Sequence, residues 1–290
     1  MFQTINVKEN IPLAEYTTIK IGGSAKYFFE AKTEDDLLNA LKEATERKME
    51  YFVLGGGSNI IISDNGFNGL VIHNNIKFID SGGLWITAGA GNNLNELVAA
   101  GLENELTGLE FLAGIPGSVG GAVYMNAGSQ KKGIGEFVTE VKFIDHEFKK
   151  QKFSKEECEF GYRVSKFQKM KYYITEAKFE LENSKKLLIQ EKIEESIFRK
   201  QNTQDLKHPS AGCIFKNPDL GPTAAQMIEE LDLKSTEIGG LQVSPIHANY
   251  FINTGGATSE DMIMLISYIK EKVRVKFNIQ LHEEVEFIGF

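Results

Sequence analysis

Apolar residues recur at helical spacing in several stretches of this chain. In the first, Leu37, Leu41 and Ala44 lie three or four residues apart, and Thr33 stands where a helix N-cap is expected. This predicted helix ends near Met49, just before the next apolar run, Tyr51–Leu54. The same criteria predict helices over Thr33–Met49, Asn93–Leu102, Lys185–Lys200, Ala224–Leu233 and Ser259–Phe277.

Short apolar or alternating runs between turn residues predict β-strands. They are Tyr51–Leu54, Ile60–Ile62, Gly69–His73, Trp85–Ala88, Val138–Asp145, Tyr172–Leu181, Tyr250–Asn253 and Val285–Ile288. The stretch from Gln201 to Pro222 has no such pattern and contains three prolines, so we place a domain boundary near it.

Two glycine-rich segments interrupt this pattern, at Gly55–Asn59 and Gly114–Gly128. Glycine inside a helix or strand costs roughly 0.5–1 kcal/mol relative to alanine, so we expect loops here. Loops of this kind expose backbone N–H groups, which bind anions such as phosphates. The two segments together therefore favour a cradle for a phosphate-bearing cofactor, although turn chemistry alone also explains either one.

The common nucleotide signatures do not account for these loops. The P-loop pattern G-x-x-x-x-G-K-[ST] is absent, and the pattern that begins at Gly89 and Gly91 has Leu94 where a dinucleotide-binding fingerprint needs its third glycine. The histidines and acids show no metal-binding spacing such as H-E-x-x-H, so we expect no metal.

Composition narrows the class of protein. The chain has 290 residues and a formal net charge of −8, which argues against a nucleic-acid partner. Any anionic ligand would therefore need a local cluster of positive charge and backbone hydrogen-bond donors. Cys158 and Cys213 are its only cysteines, which favours a reducing compartment. No stretch has the length or apolarity of a signal peptide or membrane span, so we expect a cytoplasmic protein with no membrane partner.

Motifs distributed along the whole chain resemble those of one family. They are Thr17–Gly23, Leu54–Ile60, Gly114–Gly121, Gly161–Ser165, Pro209–Pro218, His247–Asn249, Ile252–Asn253 and Leu281–Val285. In this order the chain resembles the UDP-N-acetylenolpyruvoylglucosamine reductase (MurB) family, the flavoproteins of peptidoglycan precursor synthesis. Each motif alone is weak, whereas the ordered set is specific.

The resemblance implies an α+β protein with a vanillyl-alcohol-oxidase-type FAD-binding fold in two lobes and a C-terminal α+β substrate-binding domain. The lobes would span residues 1–72 and 73–201, and the substrate domain residues 202–280. The last strand, within residues 281–290, would return to the first lobe.

The family's cofactor is non-covalent FAD, held on the two glycine loops. Carried over to this chain, the flavin contacts are Gly55, Gly56, Gly57, Ser58, Asn59, Gly114, Ile115, Pro116, Gly117, Ser118 and Ala122. Backbone N–H groups would then bind the pyrophosphate without basic side chains.

The resemblance also assigns three catalytic residues. Arg163 would bind the substrate carboxylate with its planar guanidinium. Glu284 would lie beside the developing charge, either protonated or orienting a donor, although its neighbour Glu283 is an alternative. Cys213 would be the proton donor at a position where most relatives have serine. The ordinary alternatives are an exposed arginine, an exposed acid and a small buried cysteine.

The expected reaction is the NADPH-dependent reduction of UDP-N-acetylglucosamine enolpyruvate to UDP-N-acetylmuramate by way of FAD. The enzyme would be a UDP-N-acetylmuramate dehydrogenase that works as a monomer. Its partners would be the UDP-sugar and NADPH. The substrate ligands would be Arg199, Lys200, Lys216, Asn217 and His247, of which His247 matches the family loosely.

Two other functions remain open at this stage. The nearer is an FAD-dependent oxidase or dehydrogenase of the same fold that acts on a small alcohol and would not need Arg163, Cys213 and Glu284 together. The more distant is a non-catalytic nucleotide-binding protein, which a flavin spectrum of the purified chain would exclude.

Overall fold

The computed structural model describes residues 2–129 and 132–290. The chain forms two compact units. Unit 1 comprises Met1–Lys8, Tyr27–Gly56 and Gly69–Lys200. Unit 2 comprises Glu9–Lys26, Gly57–Asn68 and Gln201–Phe290. Each unit is therefore built from separate parts of the sequence.

Helix boundaries follow local capping chemistry. Thr33, Asn93, Thr223 and Thr258 each accept a hydrogen bond from the backbone N–H three residues later, and the side chain at that later position bonds back. Such a capping box satisfies two N–H groups that a helix start leaves unpaired. The helices of the described chain are α1 (Glu34–Glu46), α2 (Leu94–Glu103), α3 (Val119–Met125), α4 (Lys166–Met170), α5 (Lys186–Thr203), α6 (Ala224–Glu230) and α7 (Ser259–Phe277).

The strands are short, and most predicted ones are found within one or two residues of their expected ends. Those of the first half are β1 (Lys8–Pro12), β2 (Ser24–Ala31), β3 (Tyr51–Leu54), β4 (Ile60–Ile62), β5 (Phe67–Asn74), β6 (Ile79–Gly82), β7 (Trp85–Gly89), β8 (Leu106–Thr107), β9 (Gly128–Ser129) and β10 (Lys132–Gly133). The remainder are β11 (Val138–Ile144), β12 (Lys150–Ser154), β13 (Tyr173–Glu180), β14 (Glu182–Asn183), β15 (Ser210–Cys213), β16 (Glu237–Ile238), β17 (Leu241–Val243), β18 (Tyr250–Asn253) and β19 (Glu286–Ile288).

A five-stranded antiparallel sheet forms the largest part of unit 1. Its strand order is β12-β11-β13-β7-β6. Helices α2 and α3 pack on it, and buried Phe143, Phe167 and Phe179 fill the core beneath them. A second core of the same unit lies between α1 and β5, which pairs in parallel with β3. The sheet thus supports α3, which lies within the second glycine segment.

Unit 2 is centred on a four-stranded antiparallel sheet covered by α6 and α7. The strand order is β15-β18-β17-β16, and Phe251 and Met262 belong to the core between sheet and helices. The C-terminal strand β19 pairs in parallel with β4, residue by residue from Glu286 opposite Ile60. The end of the chain therefore lies beside the segment that follows the first glycine loop.

One expectation about the glycine segments is wrong. Part of Gly114–Gly128 is not a loop, because Val119–Met125 forms α3. Ser118 caps this helix by accepting from the N–H of Gly121, and Asn126 ends it in the left-handed conformation at φ 45°. Gly120 is kept in the helix by close packing, since a Cβ there would lie 2.8 Å from Cβ of Ala90.

Several strands were not predicted, among them β2 and β12. Charged residues such as Lys26 and Lys152 interrupt the apolar pattern of these two strands.

No helix in the described residues is long and apolar enough to cross a membrane.

Candidate active site

In unit 1 the two glycine segments meet. The N–H of Gly56 donates to Oγ of Ser118 at 3.1 Å, across 62 residues of sequence. A Cβ on Gly56 would lie 2.6 Å from the backbone nitrogen of Ser118, and one on Gly55 2.7 Å from its Oγ. Gly56 therefore requires glycine because the two backbones touch, whereas a Cβ on Gly55 would displace the Ser118 hydroxyl.

Some backbone N–H groups of these loops are buried and have no hydrogen-bond acceptor among the described residues. Ser118 is buried, yet among the described residues its N–H donates to no protein atom. In unit 2 the buried Gly57 also has an N–H with no acceptor in the described chain. A buried N–H without a partner is costly, so a ligand with acceptor oxygens fits these positions. The loops carry no charged side chain, which suits a cofactor whose phosphates are held by backbone dipoles.

The other predicted flavin contacts have structural roles of their own. The N–H of Gly114 donates to Oδ1 of Asn95 at 3.1 Å, and the N–H of Ile115 donates to the carbonyl of Leu112 at 2.9 Å. Pro116 is exposed, and Ala122 is buried in α3. The backbone of Gly114 and Ile115 is thus bonded to neighbouring protein groups, whereas within the described residues the N–H groups of Gly117 and Ser118 have no protein acceptor.

In unit 2 the first glycine loop holds the segment of Glu284. Nδ2 of Asn59 donates to the carbonyl of Glu284 at 3.0 Å, and the N–H of Glu286 donates to the carbonyl of Asn59 at 3.0 Å. Gly57 has φ 63°, and a Cβ there would lie 1.8 Å from the carbonyl oxygen of Tyr16. This position excludes any side chain, and Asn59 has a backbone-holding role that its family match did not reveal.

Cys213 and Glu284 lie on neighbouring segments of unit 2. The N–H of Glu284 donates to the carbonyl of Ile214, the residue after Cys213, at 2.7 Å. The pairing continues to Lys216, whose N–H donates to the carbonyl of His282 at 2.9 Å. The structure therefore brings together two predicted catalytic residues that are 71 positions apart, 284 minus 213.

The backbone around Cys213 is shaped by two local features. Gly212 has φ 77°, and the pairing of β15 with β18 shifts register between Ser210 and Cys213. Asn249 then clamps the next turn, because its Oδ1 accepts from the N–H of Phe215 at 3.0 Å and its Nδ2 donates to the carbonyl of Phe215 at 2.8 Å. Cys213 itself is half-buried and forms no disulfide.

Arg163 is at the corner of a tight turn in unit 1. The N–H groups and carbonyls of Gly161 and Val164 bond to each other, and Arg163 has φ 54°. Left-handed backbone is uncommon for arginine and is found where surrounding contacts over-determine it. Its guanidinium lies 5.5 Å from the ring of Tyr162 and donates to the carbonyl of Gly128 at 3.4 Å.

The turn of Arg163 is fastened to the C-terminal end of α3. Nδ2 of Asn126 donates to the carbonyl of Gly161 at 2.8 Å. Nε2 of Gln168 donates to the carbonyls of Tyr124 and Arg163 at 2.9 and 3.1 Å. The sequence did not predict that Asn126 and Gln168 hold this turn. The asparagine that follows Met125 is a recognisable helix-end signal, but nothing marks the glutamine.

The predicted substrate ligands are placed in different surroundings. In unit 1, Arg199 donates to Oγ of Ser129 at 3.0 Å, and Lys200 is buried with its ammonium donating to three protein oxygens. In unit 2, Asn217 is exposed and its Oδ1 accepts from the first N–H of α6, while Lys216 is half-buried. Lys200 has no donor left for a phosphate.

His247 lies in the turn between β17 and β18. Burial lowers the pKa of its imidazole, and Nδ1 accepts a hydrogen bond from the N–H of Asn249 at 3.2 Å. The ring packs on Tyr250 with centroids 4.5 Å apart. The histidine is therefore neutral near pH 7 and carries its proton on Nε2. Among the described residues no cluster of histidines, cysteines and acids has the form of a metal site.

Comparisons with known proteins agree with this arrangement. A family model described as "UDP-N-acetylenolpyruvoylglucosamine reductase, C-terminal domain" matches residues 204–288, and one described as "FAD binding domain" matches residues 25–147. A UDP-N-acetylenolpyruvoylglucosamine reductase from Protochlamydia amoebophila is 41% identical over 97% of this chain and 93% of the relative. One from Clostridium perfringens is 39% identical over 96% of this chain and 91% of the relative.

A solved structure is similar along the whole length. The MurB reductase from Thermus caldophilus aligns with a TM-score of 0.84 at 31% identity, covering 98% of this chain and 100% of the other. The predicted α+β fold class, with its FAD-binding part and C-terminal substrate-binding part, is confirmed by this likeness and by the two family matches.

Proposed function

The chain belongs to the UDP-N-acetylenolpyruvoylglucosamine reductase family, and from this premise we propose how its own residues bind and act. It reduces UDP-N-acetylglucosamine enolpyruvate to UDP-N-acetylmuramate in peptidoglycan precursor synthesis, with FAD as cofactor and NADPH as reductant. The observation that carries the residue assignment is the pairing of the Cys213 segment with that of Glu284, which is held in turn by Asn59.

The two glycine segments are the proposed FAD contacts. When bound, FAD supplies the hydride transfer between NADPH and the enolpyruvyl double bond. The N–H groups of Gly57, Gly117 and Ser118 would donate to the cofactor's acceptor oxygens, because each lacks a protein acceptor in the described chain. Gly55 and Gly56 would keep the first segment thin enough to lie against Ser118.

Cys213 is the proposed proton donor. Its Sγ would give a proton to the substrate carbon that bears the carboxylate and would recover it from solvent. A free thiol has a pKa of about 8.5, so it is mostly protonated at neutral pH and is a stronger acid than an aliphatic hydroxyl. Glu284 is proposed to face the charge that develops on the same part of the substrate. The adjacency of the two segments supports both roles.

Arg163 is the proposed ligand of the substrate carboxylate. Its guanidinium stays charged at any working pH and has the fork geometry that matches a carboxylate. The support comes from its strained turn, which α3 holds through Asn126. Arg199, Lys216, Asn217 and His247 are proposed for the remainder of the UDP-sugar. Lys200 is not, because its donors are already used.

The assignment of Cys213 is tested by two substitutions. Cys213→Ser is expected to keep turnover. Cys213→Ala is expected to leave flavin reduction by NADPH intact and to slow flavin reoxidation by the enolpyruvyl sugar about 100-fold or more, the usual scale of general acid catalysis. Stopped-flow absorbance of the flavin follows both half-reactions. Cys158→Ala is the matched control, because this buried cysteine belongs to unit 1 and has no proposed role.

A wild-type reoxidation rate in Cys213→Ala would remove Cys213 from the mechanism. If reoxidation were slowed equally in Cys158→Ala, the loss would reflect packing rather than proton transfer.

The cellular setting is proposed on the chemistry of the reaction. The enzyme would act as a cytoplasmic monomer without nucleic-acid or membrane partners, because NADPH and nucleotide sugars are cytoplasmic metabolites and both cysteines are free thiols. The net charge of −8 supports the absence of a nucleic-acid partner. Light scattering of the purified chain at several concentrations tests the oligomeric state.

The three-part division at residues 72 and 201 also remains a proposal. A boundary between the compact units at Lys200 and Gln201 supports the second of these positions. The pairing of β19 with β4 supports the return of the C-terminal strand to the first lobe. Limited proteolysis, with the fragments identified by mass, tests where the chain is open between its parts.

A further inference from the structure

One face of α5 carries a polar stripe that contacts a single segment of unit 1. Lys192, Ser196 and Lys200 recur every four residues and therefore lie on the same face of the helix. Nζ of Lys192 donates to Oγ1 of Thr107 at 2.8 Å, and Oγ of Ser196 donates to the carbonyl of Phe111 at 3.5 Å. All three residues of the stripe thus face the chain between Thr107 and Ala113.

Lys200 is the buried member of this stripe. Its side chain is 3% exposed, and its ammonium donates to the carbonyls of Ala113 and Phe111 at 2.7 and 3.0 Å and to Oγ of Ser196 at 2.8 Å. An ammonium group has three N–H donors, and all three are used. A buried amine is costly without such partners, and burial lowers the pKa of Lys200 to about 8. An apolar residue would fill this space at lower cost, so the hydrogen bonds are the reason for a lysine.

The carbonyls that Lys200 binds belong to the approach of the second glycine segment. Phe111 lies in a short 3-10 helix, Glu110–Leu112, and Ala113 directly precedes Gly114. The aliphatic stem of Lys200 also touches the segment, since a Cβ on Gly114 would lie 3.4 Å from its Cδ. Gly114 has φ 77°, so the chain turns sharply at the point where the lysine supports it.

We propose that Lys200 is a positioning residue of the FAD site, which holds the turn at Ala113 and Gly114 and thereby sets the backbone N–H groups of Gly117 and Ser118 toward the cofactor. This inference rests on the proposed use of those N–H groups by FAD. It is an alternative to the expectation that Lys200 is a ligand of the UDP-sugar.

The test uses the full-length chain with Lys200→Met, which keeps a long stem and removes the ammonium. FAD affinity is measured by titration of the deflavinated protein, using quenching of flavin fluorescence. We expect it to fall about tenfold or more, since charge-assisted bonds to buried carbonyls are lost. Hydrogen exchange of the amides of residues 114–118 is expected to accelerate in the cofactor-free chain. Lys186→Met, at an exposed lysine of the same helix, is the matched control and should change neither quantity.

A chemical rescue separates positioning from general packing. Lys200→Ala lacks the three carbons and the amine that propylammonium supplies. Added propylammonium is expected to restore FAD affinity and slow exchange at residues 114–118, whereas 1-propanol of similar size is not. Only a positioning role through the ammonium predicts this difference.

Three outcomes would overturn the inference. One is wild-type FAD affinity in Lys200→Met with a raised KM for the UDP-sugar, which would restore the lysine as a substrate ligand. Another is rescue by propanol as well as by propylammonium. The third is loss of the folded chain in both variants without rescue, since Lys200 would then support the whole core. Failure of the wild-type chain to bind FAD would instead count against the proposed function.

Discussion

At the scale of single residues, the site depends on side chains that hold backbone rather than substrate. Gln168 is the clearest case, because its amide binds the carbonyl of Arg163 and so helps to fix the left-handed turn that presents the guanidinium. Asn59 and Asn249 act in the same way in unit 2, on the segments of Glu284 and Cys213. Such amides have both donors and acceptors, which lets one side chain fasten two segments.

Removal of the Gln168 amide should therefore affect the position of Arg163. In Gln168→Leu we expect kcat/KM for the UDP-sugar to fall about tenfold, the worth of roughly one buried hydrogen bond. The rate of flavin reduction by NADPH should not change, because Arg163 is proposed to bind the carboxylate of the UDP-sugar and not NADPH. Gln151→Leu, on exposed strand β12, is the control. If Gln168→Leu left kcat/KM unchanged, the turn would be held by Asn126 and by Ser165, whose Oγ donates to the carbonyl of Tyr124 at 2.6 Å.

At the scale of elements, α3 connects the proposed flavin contacts to the proposed catalytic arginine. Ser118 lies at its start, and Tyr124 and Asn126 at its end bind the turn of Arg163. The helix has only seven residues and contains two glycines, so its own propensity is poor. Packing against the sheet of unit 1 compensates, because Val119 and Val123 are fully buried there.

The two glycines of α3 should respond to alanine in opposite directions. In Gly120→Ala the new Cβ meets Cβ of Ala90 at 2.8 Å, and we expect the free energy of unfolding to fall by about 1–3 kcal/mol through overpacking. In Gly121→Ala the nearest atom is Oγ of Ser118 at 3.4 Å, and we expect a rise of up to about 1 kcal/mol. Urea unfolding of the cofactor-free chain measures both. Equal effects would mean that α3 does not pack on Ala90 as described.

At the scale of the whole molecule, a chain with net negative charge has to bind an anionic cofactor and an anionic substrate. We expect local groups of hydrogen-bond donors and cations to do so. Backbone donors of the glycine segments are the proposed ligands of the cofactor, and single cationic side chains such as Arg163 and Lys216 are the proposed ligands of the substrate. Acidic groups meanwhile stabilise the fold. Glu43 of α1 is buried and accepts hydrogen bonds from the N–H groups of Gln3 and Thr4, from the Thr4 hydroxyl and from Arg47.

The environment of Glu43 predicts how the free energy of unfolding depends on pH. Burial by itself raises the pKa of this carboxyl, but the hydrogen bonds from Thr4, Gln3 and Arg47 outweigh it and lower the pKa to about 2. The pKa of Glu43 in the folded chain lies below its value in the unfolded chain. Its ionised form therefore contributes about 3 kcal/mol to the free energy of unfolding above about pH 4.5. This contribution is lost as the pH falls through about 2. Urea unfolding of wild type and Glu43→Gln should therefore differ most near neutral pH and converge toward pH 2.

Exposed Glu46 of the same helix supplies the control, since Glu46→Gln should follow the wild-type curve. A constant difference between wild type and Glu43→Gln from pH 6 to pH 2 would contradict the assignment.

Much of the fold could be predicted from local pattern. The ends of α7 and β18 match their predicted bounds, and those of α1 and α2 follow the capping residues Thr33 and Asn93. The glycine segments and the motif residues of the family also pointed to FAD and to the reaction. Helix α3 could not be predicted, because its stability comes from burial against a distant sheet rather than from its own residues.

The sequence by itself determined the chemical groups of the site: the glycines, the guanidinium, the thiol and the carboxyl, each recognisable by type and local motif. Only the tertiary structure decided their neighbours. It put Gly56 against Ser118 and the segment of Cys213 beside that of Glu284, and it gave the ammonium of Lys200 three protein acceptors. The physical reason is that contacts between distant segments depend on backbone approach and burial, which leave no periodic trace along the chain.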